Sequence, residues 1–284
     1  MRSVVITGTS TGIGWGTAKV LIANGFRVFG SVRKVADAER LVAEFGAGFV
    51  PLIFDVTDEA AVKAAAANVR RELAGEKLFG LVNNAGVAVA GPLLQLPIAE
   101  FRRQIDINLV GVVITTQAFA PLLGIGPQLE GSPGRIVNIG SVGGRNAIPF
   151  VSPYNASKFA IEGLSESLRR ELLPFGIDVI IIAPGAVATP IWDKAEQIDI
   201  APYRDTPYAV PLERLRAYML GMGKNGLPPE RVGEAVLLAL TTPKPKVRYA
   251  VSPQPLQDFM ARHLPRRVVD RMIGGRLGLL PARR

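Results

Sequence analysis

Apolar positions along the chain fall into two alternating patterns. Short runs that are apolar on consecutive residues occur at 3–7, 27–32, 49–55, 80–83, 134–139, 178–183 and 247–251, with Val179-Ile180-Ile181-Ile182 the plainest. Strands covered on both faces read this way, because no side of them meets water. Between them lie longer stretches with a period near 3.6, at 14–24, 36–45, 59–73, 98–122, 154–173 and 229–240, and each predicts a helix. Such β-α alternation predicts an α/β fold, an open parallel sheet with helices on both faces. No Gly/Ser linker or internal repeat divides the chain, so a single domain is expected over residues 1–252.

Two stretches break the rhythm. Residues 190–228 mix Pro, Tyr and charges without one period. After Ser252, Leu256, Phe259, Met260, His263 and Leu264 fall on one helical face, and Pro265 permits a second helix carrying Val268, Val269, Met272 and Ile273. Gly274, Gly275 and Gly278 are expected to weaken that helix beyond Ile273. Residues 253–284 therefore read as a basic amphipathic extension.

Composition narrows the chemistry. With 284 residues and 48% hydrophobic positions the chain can bury a large core, which excludes disorder. The absence of cysteine excludes a disulfide scaffold and thiolate metal sites, and the single histidine, His263, speaks against His-rich metal sites and a Ser/His/Asp triad; no metal is expected. The net charge of +9 is uneven: residues 244–284 carry ten basic and two acidic side chains, a net +8, and the preceding 243 residues carry +1. A uniformly basic nucleic-acid surface does not have this distribution, and no nucleic-acid partner is expected. The first strand starts at residue 3, which leaves no room for a targeting peptide. The uncharged stretch 109–129 contains Thr, Gln, Pro and Gly and reads as a buried helix followed by a loop rather than a membrane span. A soluble, cytoplasmic protein is expected.

The segment Thr7-Gly8-Thr9-Ser10-Thr11-Gly12-Ile13-Gly14 lies between the first strand and first helix. Gly8 suits a sharp turn, Gly12 a close approach to pyrophosphate, and Gly14 tight packing of the helix on the sheet. The helix N-terminus then offers free N–H groups and a positive dipole end to phosphate. At the end of the second strand stands Ser31-Val32-Arg33-Lys34, with no acid before Asp37. An acid there would hold the ribose hydroxyls of NAD, whereas Arg33 suits a 2′-phosphate, so NADP(H) is favoured over NAD(H). A solvated Arg-Lys pair opening a helix is the alternative.

Tyr154-x-x-x-Lys158 sets a phenol and an ammonium one helical turn apart. A nearby positive charge favours phenolate, so the pair can exchange a proton with a hydroxyl or carbonyl. Alone, the spacing is equally that of a surface pair. Ser141, beyond a strand and 13 residues earlier, supplies a hydroxyl donor, or is a turn residue. Asn108, an unfavourable residue inside a helical pattern, invites a role for its amide, or is a core polar group.

Taken together, Thr7 to Gly14, Asn83-Asn84-Ala85-Gly86, Asn108, Ser141, Tyr154-x-x-x-Lys158 and Pro184-Gly185 resemble, in order and spacing, the short-chain dehydrogenase/reductase family. The resemblance covers residues 3–252. It implies a Rossmann-like, doubly wound parallel sheet of seven strands, an NAD(P) cofactor, and oxidation or reduction of alcohols and carbonyls. By the same resemblance Tyr154 is the general acid/base, Lys158 lowers its pKa and holds the nicotinamide ribose, Ser141 orients the reacting oxygen, and Asn108 supports a proton relay. Gly8, Ser10, Thr11, Gly12, Ile13 and Gly14 form the phosphate loop; Asp55 and Val56 contact adenine; Asn84, Ala85 and Gly86 line the adenosine ribose; Pro184, Gly185, Val187 and Thr189 bracket the nicotinamide. Asn83 ties strands together. Family members commonly pair through the helices around Asn108 and Tyr154, so a homodimer or homotetramer is implied.

Residues 190–228 stand where the family carries a substrate lid, with Trp192, Tyr203, Tyr208, Tyr218, Met219 and Met222 suited to a bulky substrate or simply packing the lid down. The long tail and Gly30-Ser31-Val32-Arg33 resemble the retinol and 17β-hydroxysteroid dehydrogenase branch, which implies a hydrophobic alcohol or ketone. The tail itself admits three readings: peripheral contact with an anionic membrane, a cap over the substrate entrance, or a docked helix with a solvated basic face. The alternative to an active oxidoreductase is a catalytically silent NADP-binding regulatory or scaffold protein of the same fold.

Overall fold

A computed structural model describes residues 1–126, 129–190 and 200–281. The elements are β1 (Ser3–Ile6), α1 (Gly12–Ala23), β2 (Arg27–Val32), α2 (Val35–Phe45), β3 (Phe49–Ile53), α3 (Glu59–Glu72), β4 (Gly80–Asn83), α4 (Ile98–Ile105), α5 (Gly111–Phe119), β5 (Arg135–Ile139), α6 (Ser152–Glu171), β6 (Asp178–Pro184), α7 (Ala209–Lys224), α8 (Pro229–Thr241), β7 (Arg248–Val251), α9 (Pro255–His263) and α10 (Arg266–Leu277). All seven strands pair in parallel, in the order β3-β2-β1-β4-β5-β6-β7. The chain reverses direction across the sheet between β1 and β4, and the crevice at such a switch point is where ligands bind in this architecture.

Alternation along the strands divides the core. Val4, Ile6, Val28, Val137 and Ile180 pack with Leu21, Leu41, Val232, Val236 and Leu240, under α1, α2 and α8. Val5, Phe29, Ile136 and Val179 point the other way, to Val62, Val69 and Phe119 of α3 and α5. Both faces are thus dry, as the consecutive apolar runs require. Helices α1 and α8 pack closely because they meet at glycines: a Cβ on Gly16 would stand 2.7 Å from Pro229, and one on Gly233 would stand 2.8 Å from the Gly16 carbonyl. Elsewhere the helix ends follow local chemistry. Asp58 caps α3 by accepting from the Ala61 N–H, and Gly25, at φ 75°, reverses the chain after α1.

The expected helix over 98–122 is divided. A π-helical turn, Asp106–Val110, separates α4 from α5 and carries Asn108, and a 3₁₀ turn, Ala120–Leu123, ends the run. The full stretch Ile98–Leu123 is the one helix among the described residues long and apolar enough to cross a membrane; Val112, Thr115, Thr116 and Phe119 of its α5 part are buried. A third apolar cluster lies apart from these two cores. Phe150, Leu212, Leu215 and Leu277 are its centre, with Tyr203, Tyr208, Met219 and Ile273 packed around it. It joins α7 to α10. Helix α10 runs through Gly274 and Gly275 to Leu277, past the point where the glycines were expected to weaken it. Gly278, at φ 77°, turns the chain so that Leu279 N–H bonds to the Gly274 carbonyl at 2.8 Å. Leu280 then packs where a Cβ of Gly274 would be. The glycines serve the chain reversal rather than fraying the helix.

A buried polar ladder ties the middle strands to both long helices. Asn83 on β4 donates to Asn138 Oδ1 on β5 at 2.9 Å and to Thr116 Oγ1 at 3.1 Å, and accepts from Thr115 Oγ1 at 2.7 Å. Asn138 donates onward to Ser165 on α6 at 2.9 Å. Replacing Asn83 with Ala strands several of these buried groups, and unfolding free energy should fall by about 2–3 kcal/mol in urea titration. A loss below about 0.5 kcal/mol would show that the ladder holds nothing.

Candidate functional site

The carboxyl ends of the central strands open into one large cavity of about 950 Å³. Of the positions expected at the cofactor, Gly8, Ser10, Thr11, Gly12, Ile13, Arg33, Asp55, Val56, Asn84, Ala85, Gly86, Pro184, Gly185, Val187 and Thr189 all line it. Asn108, Ser141, Tyr154 and Lys158 line it too. Gly14 does not line it: its missing Cβ would stand 2.1 Å from the Gly8 carbonyl and 2.5 Å from Asn84 Nδ2, so only glycine leaves room there. It lies under the loop and lets α1 start there.

The loop is built for close approach. Gly8 and Gly12 have φ of 72° and 61°, a conformation that L side chains avoid, and a Cβ on Gly8 would stand 2.9 Å from the Ala85 backbone. Thr7 Oγ1 accepts from the N–H groups of Asn84 and Ala85, and Asn84 Nδ2 donates to the Thr7 and Gly8 carbonyls, each at 2.9 Å. The two cofactor segments are thereby one unit. Ser31, which sequence reasoning did not single out, accepts from the Gly8 N–H at 2.9 Å. Thr11 stands at the N-cap of α1 in an extended conformation and makes no side-chain cap bond, so the first N–H groups of the helix remain for an anion. These features fit a pyrophosphate. At the far end Arg33 is 71% exposed in its side chain and lies 3.8 Å from Asp55. Burial pushes the Asp55 carboxyl up, but hydrogen bonds from Thr57 and the Arg33 charge outweigh it and hold the group below its ordinary value.

The candidate catalytic side chains come from two elements. Ser141 follows β5 and is buried; its Oγ accepts from the Gly143 N–H at 2.9 Å. Tyr154 and Lys158 stand one turn apart near the start of α6, whose first turn contains Pro153. Lys158 is 7% exposed, and its Nζ donates to the Ile139 carbonyl at the end of β5 at 2.7 Å. Nζ lies 5.7 Å from the centre of the Tyr154 ring. Burial brings the Lys158 ammonium down to a pKa of about 8. Burial also pushes the Tyr154 phenol up, against a smaller lowering from its hydrogen bond with Ser141.

Asn108 is spent on structure around the site. Its Oδ1 accepts from Val87 N–H at 2.9 Å, and its Nδ2 donates to the Val87 carbonyl at 3.0 Å and to Ser157 Oγ at 3.2 Å. Gln104, one turn earlier and fully buried, clasps the same strand of chain through Val89 N–H and the Val87 carbonyl. Behind Ser141, Glu162 pairs with Arg145 and Arg248, each at 2.8 Å, and Arg248 reaches the Ser141 carbonyl at 3.5 Å. The i,i+4 relation of Glu162 to Lys158 was the available signal; the arginine 86 residues away was not readable.

The other end of the cavity is apolar. Tyr218, Met219 and Met222 of α7 line it, whereas Tyr203 and Tyr208 pack in the third cluster, the latter edge-on to Phe150. Trp192 lies outside the described residues. Phe259, Met260 and His263 of α9, Leu264 just after it, and Met272 and Ile273 of α10 complete the wall, so the tail covers part of this cavity.

Since a Cβ at position 14 must displace Gly8 or Asn84, Gly14→Ala should weaken dinucleotide binding at least about tenfold in fluorescence titration, with little change in the far cavity wall. Unchanged binding would mean that the loop is not the phosphate seat.

Comparison with known proteins agrees with this geometry. The profile of the short chain dehydrogenase family matches residues 2–199. An NADPH-dependent 3-dehydrocapnine reductase of Ornithobacterium rhinotracheale is 38% identical over 273 residues, 96% of each chain. The mouse short-chain dehydrogenase/reductase family 9C member 7 is 32% identical, over 93% of this chain and 90% of its own. A solved short-chain dehydrogenase from Streptomyces avermitilis superimposes with a TM-score of 0.77 at 26% identity, covering 98% of this chain and 97% of its own. The chain belongs to the short-chain dehydrogenase/reductase family, the NAD(P)-dependent oxidoreductases that act on CH–OH and carbonyl groups.

Proposed function

We propose that this chain transfers hydride between NADP(H) and a bulky, largely apolar alcohol or ketone, with Tyr154 moving the proton. The observation that carries the reading is the meeting of Ser141, Tyr154 and Lys158 in the cavity that also contains the glycine loop. When bound, the dinucleotide supplies or takes up the hydride. The protein's own groups manage the substrate oxygen. In the reductive direction Tyr154, a phenol and so protonated at neutral pH, gives its proton to the carbonyl oxygen. Ser141 Oγ, with the Gly143 N–H on its acceptor side, donates its own hydrogen to the same oxygen. Lys158, at a pKa of about 8, is charged at neutral pH and stabilises the phenolate left behind. Asn108 holds the segment after β4 against α6 through Val87 and Ser157, and so positions Lys158 from behind.

Two observations favour NADP(H). Arg33 lines the cavity with its guanidinium exposed and only a long ion pair to Asp55, free to take a 2′-phosphate. The Ornithobacterium relative is described as NADPH-dependent. The apolar wall of Tyr218, Met219, Met222 and Phe259 supports a bulky substrate. Val110 and Phe159, exposed beside Asn108 and on α6, support pairing of two copies through these helices.

The test is a panel of steroid, retinoid and short-chain carbonyls and alcohols assayed with both cofactors. Bulky apolar members should turn over with NADPH, and Arg33→Ala should cut kcat/KM for NADPH at least about tenfold while sparing NADH. Equal losses for the two cofactors would overturn the preference, and preferential turnover of the short ketones would overturn the substrate class.

A further inference from the structure

Helix α9 is amphipathic in sequence, yet its apolar stripe faces outward. Leu256, Phe259 and Met260 are 70, 60 and 46% exposed. Phe259 and Met260 are at the same time part of the cavity wall, so they stand at its mouth. Helix α10 continues the pattern: Val269, Gly274 and Leu277 are buried toward the protein, while Val268 and Met272 are exposed beside Arg267 and Arg271. Large apolar side chains left in water next to cations are the composition of an interfacial helix rather than of a solvated one.

Three occupants can cover such a face, and charge separates them. Substrate inside the cavity leaves Leu256 bare, since that residue does not line the cavity. A second copy would bring together two segments that each carry five arginines against two aspartates over residues 255–277. An anionic lipid surface takes both the apolar stripe and the charge.

We propose that α9 and α10 seat the mouth of the cavity on an anionic lipid surface, from which an amphipathic substrate enters. The entry step rests on the hydride-transfer reading above; the seating does not. It also gives the tail's charge a purpose that the catalytic chemistry leaves unassigned. Arg276, packed over the Tyr218 ring at 4.3 Å, links this surface to the lid helix α7.

Sedimentation of the full chain with vesicles tests the seating. Vesicles of phosphatidylcholine alone are compared with vesicles containing about 30% phosphatidylglycerol, at low and high salt. The protein should sediment with the anionic vesicles, not the neutral ones, and salt should release it. The variant Leu256→Gln/Arg267→Glu/Arg271→Glu changes exposed residues outside the cavity wall. Its partition onto anionic vesicles should fall at least about tenfold, while its circular dichroism and thermal midpoint match those of the unaltered chain and show that the variant is folded. No sedimentation of the unaltered chain, equal sedimentation with neutral vesicles, or binding that survives in the variant would each overturn the proposal. A carbonyl embedded in the vesicles should be reduced faster than the same carbonyl in detergent by the unaltered chain only; equal rates would remove the entry step. Absence of turnover on every substrate, with vesicle binding intact, would instead count against the hydride-transfer reading.

Discussion

One hydrogen bond fixes the distances of the site. The Lys158 ammonium, removed from water, donates to the Ile139 carbonyl at 2.7 Å. That bond joins the end of β5 to the second turn of α6. Ser141 lies two residues beyond the carbonyl, and Tyr154 one turn before the lysine. Hydroxyl and phenol are therefore set against each other by a single crossing between sheet and helix. Burying an ammonium with one partner is unfavourable, and the lowered pKa of about 8 records it. The surrounding structure tolerates this because it is fixed independently. The Asn83-Asn138-Ser165 ladder docks the same strand on the same helix further along.

The glycine loop obeys a second constraint, closeness. Gly8, Gly14, Gly16 and Gly233 each occupy space in which a Cβ would meet backbone at 2.9 Å or less. With α1 drawn onto the sheet and against α8, its free N-terminus opens at the switch point between β1 and β4. The free N–H groups at that end are the backbone's own seat for an anion, and Arg33 adds a charge at the rim.

Much of this was legible in the residues. The consecutive apolar runs mark strands buried on both faces, and Thr7 to Gly14 and Tyr154-x-x-x-Lys158 carry their chemistry in local spacing. What was not legible depends on distant partners. Gly14 reads as a close-packing glycine, but the groups it packs against, Asn84 Nδ2 and the Gly8 carbonyl, are not named by local spacing. The π-helical turn at Asn108 has no periodic signature over five residues, and Gly274-Gly275 looks like a helix breaker unless Leu280 is known to fold back on it. Glu162 needs Arg248, 86 residues on, to show its place behind Ser141. The rise of the Tyr154 pKa follows from burial, a property of the whole fold that local spacing does not carry.

The central claim is that the Tyr154 phenol carries the proton in a site that the dinucleotide reaches independently. Tyr154→Phe keeps the ring and removes the hydroxyl. With a carbonyl that the unaltered protein reduces, kcat should fall about 10²–10⁴-fold, while NADPH affinity from fluorescence titration changes less than about threefold. A variant that turns over at the original rate would contradict the account, and so would one whose lost activity is fully explained by lost NADPH binding.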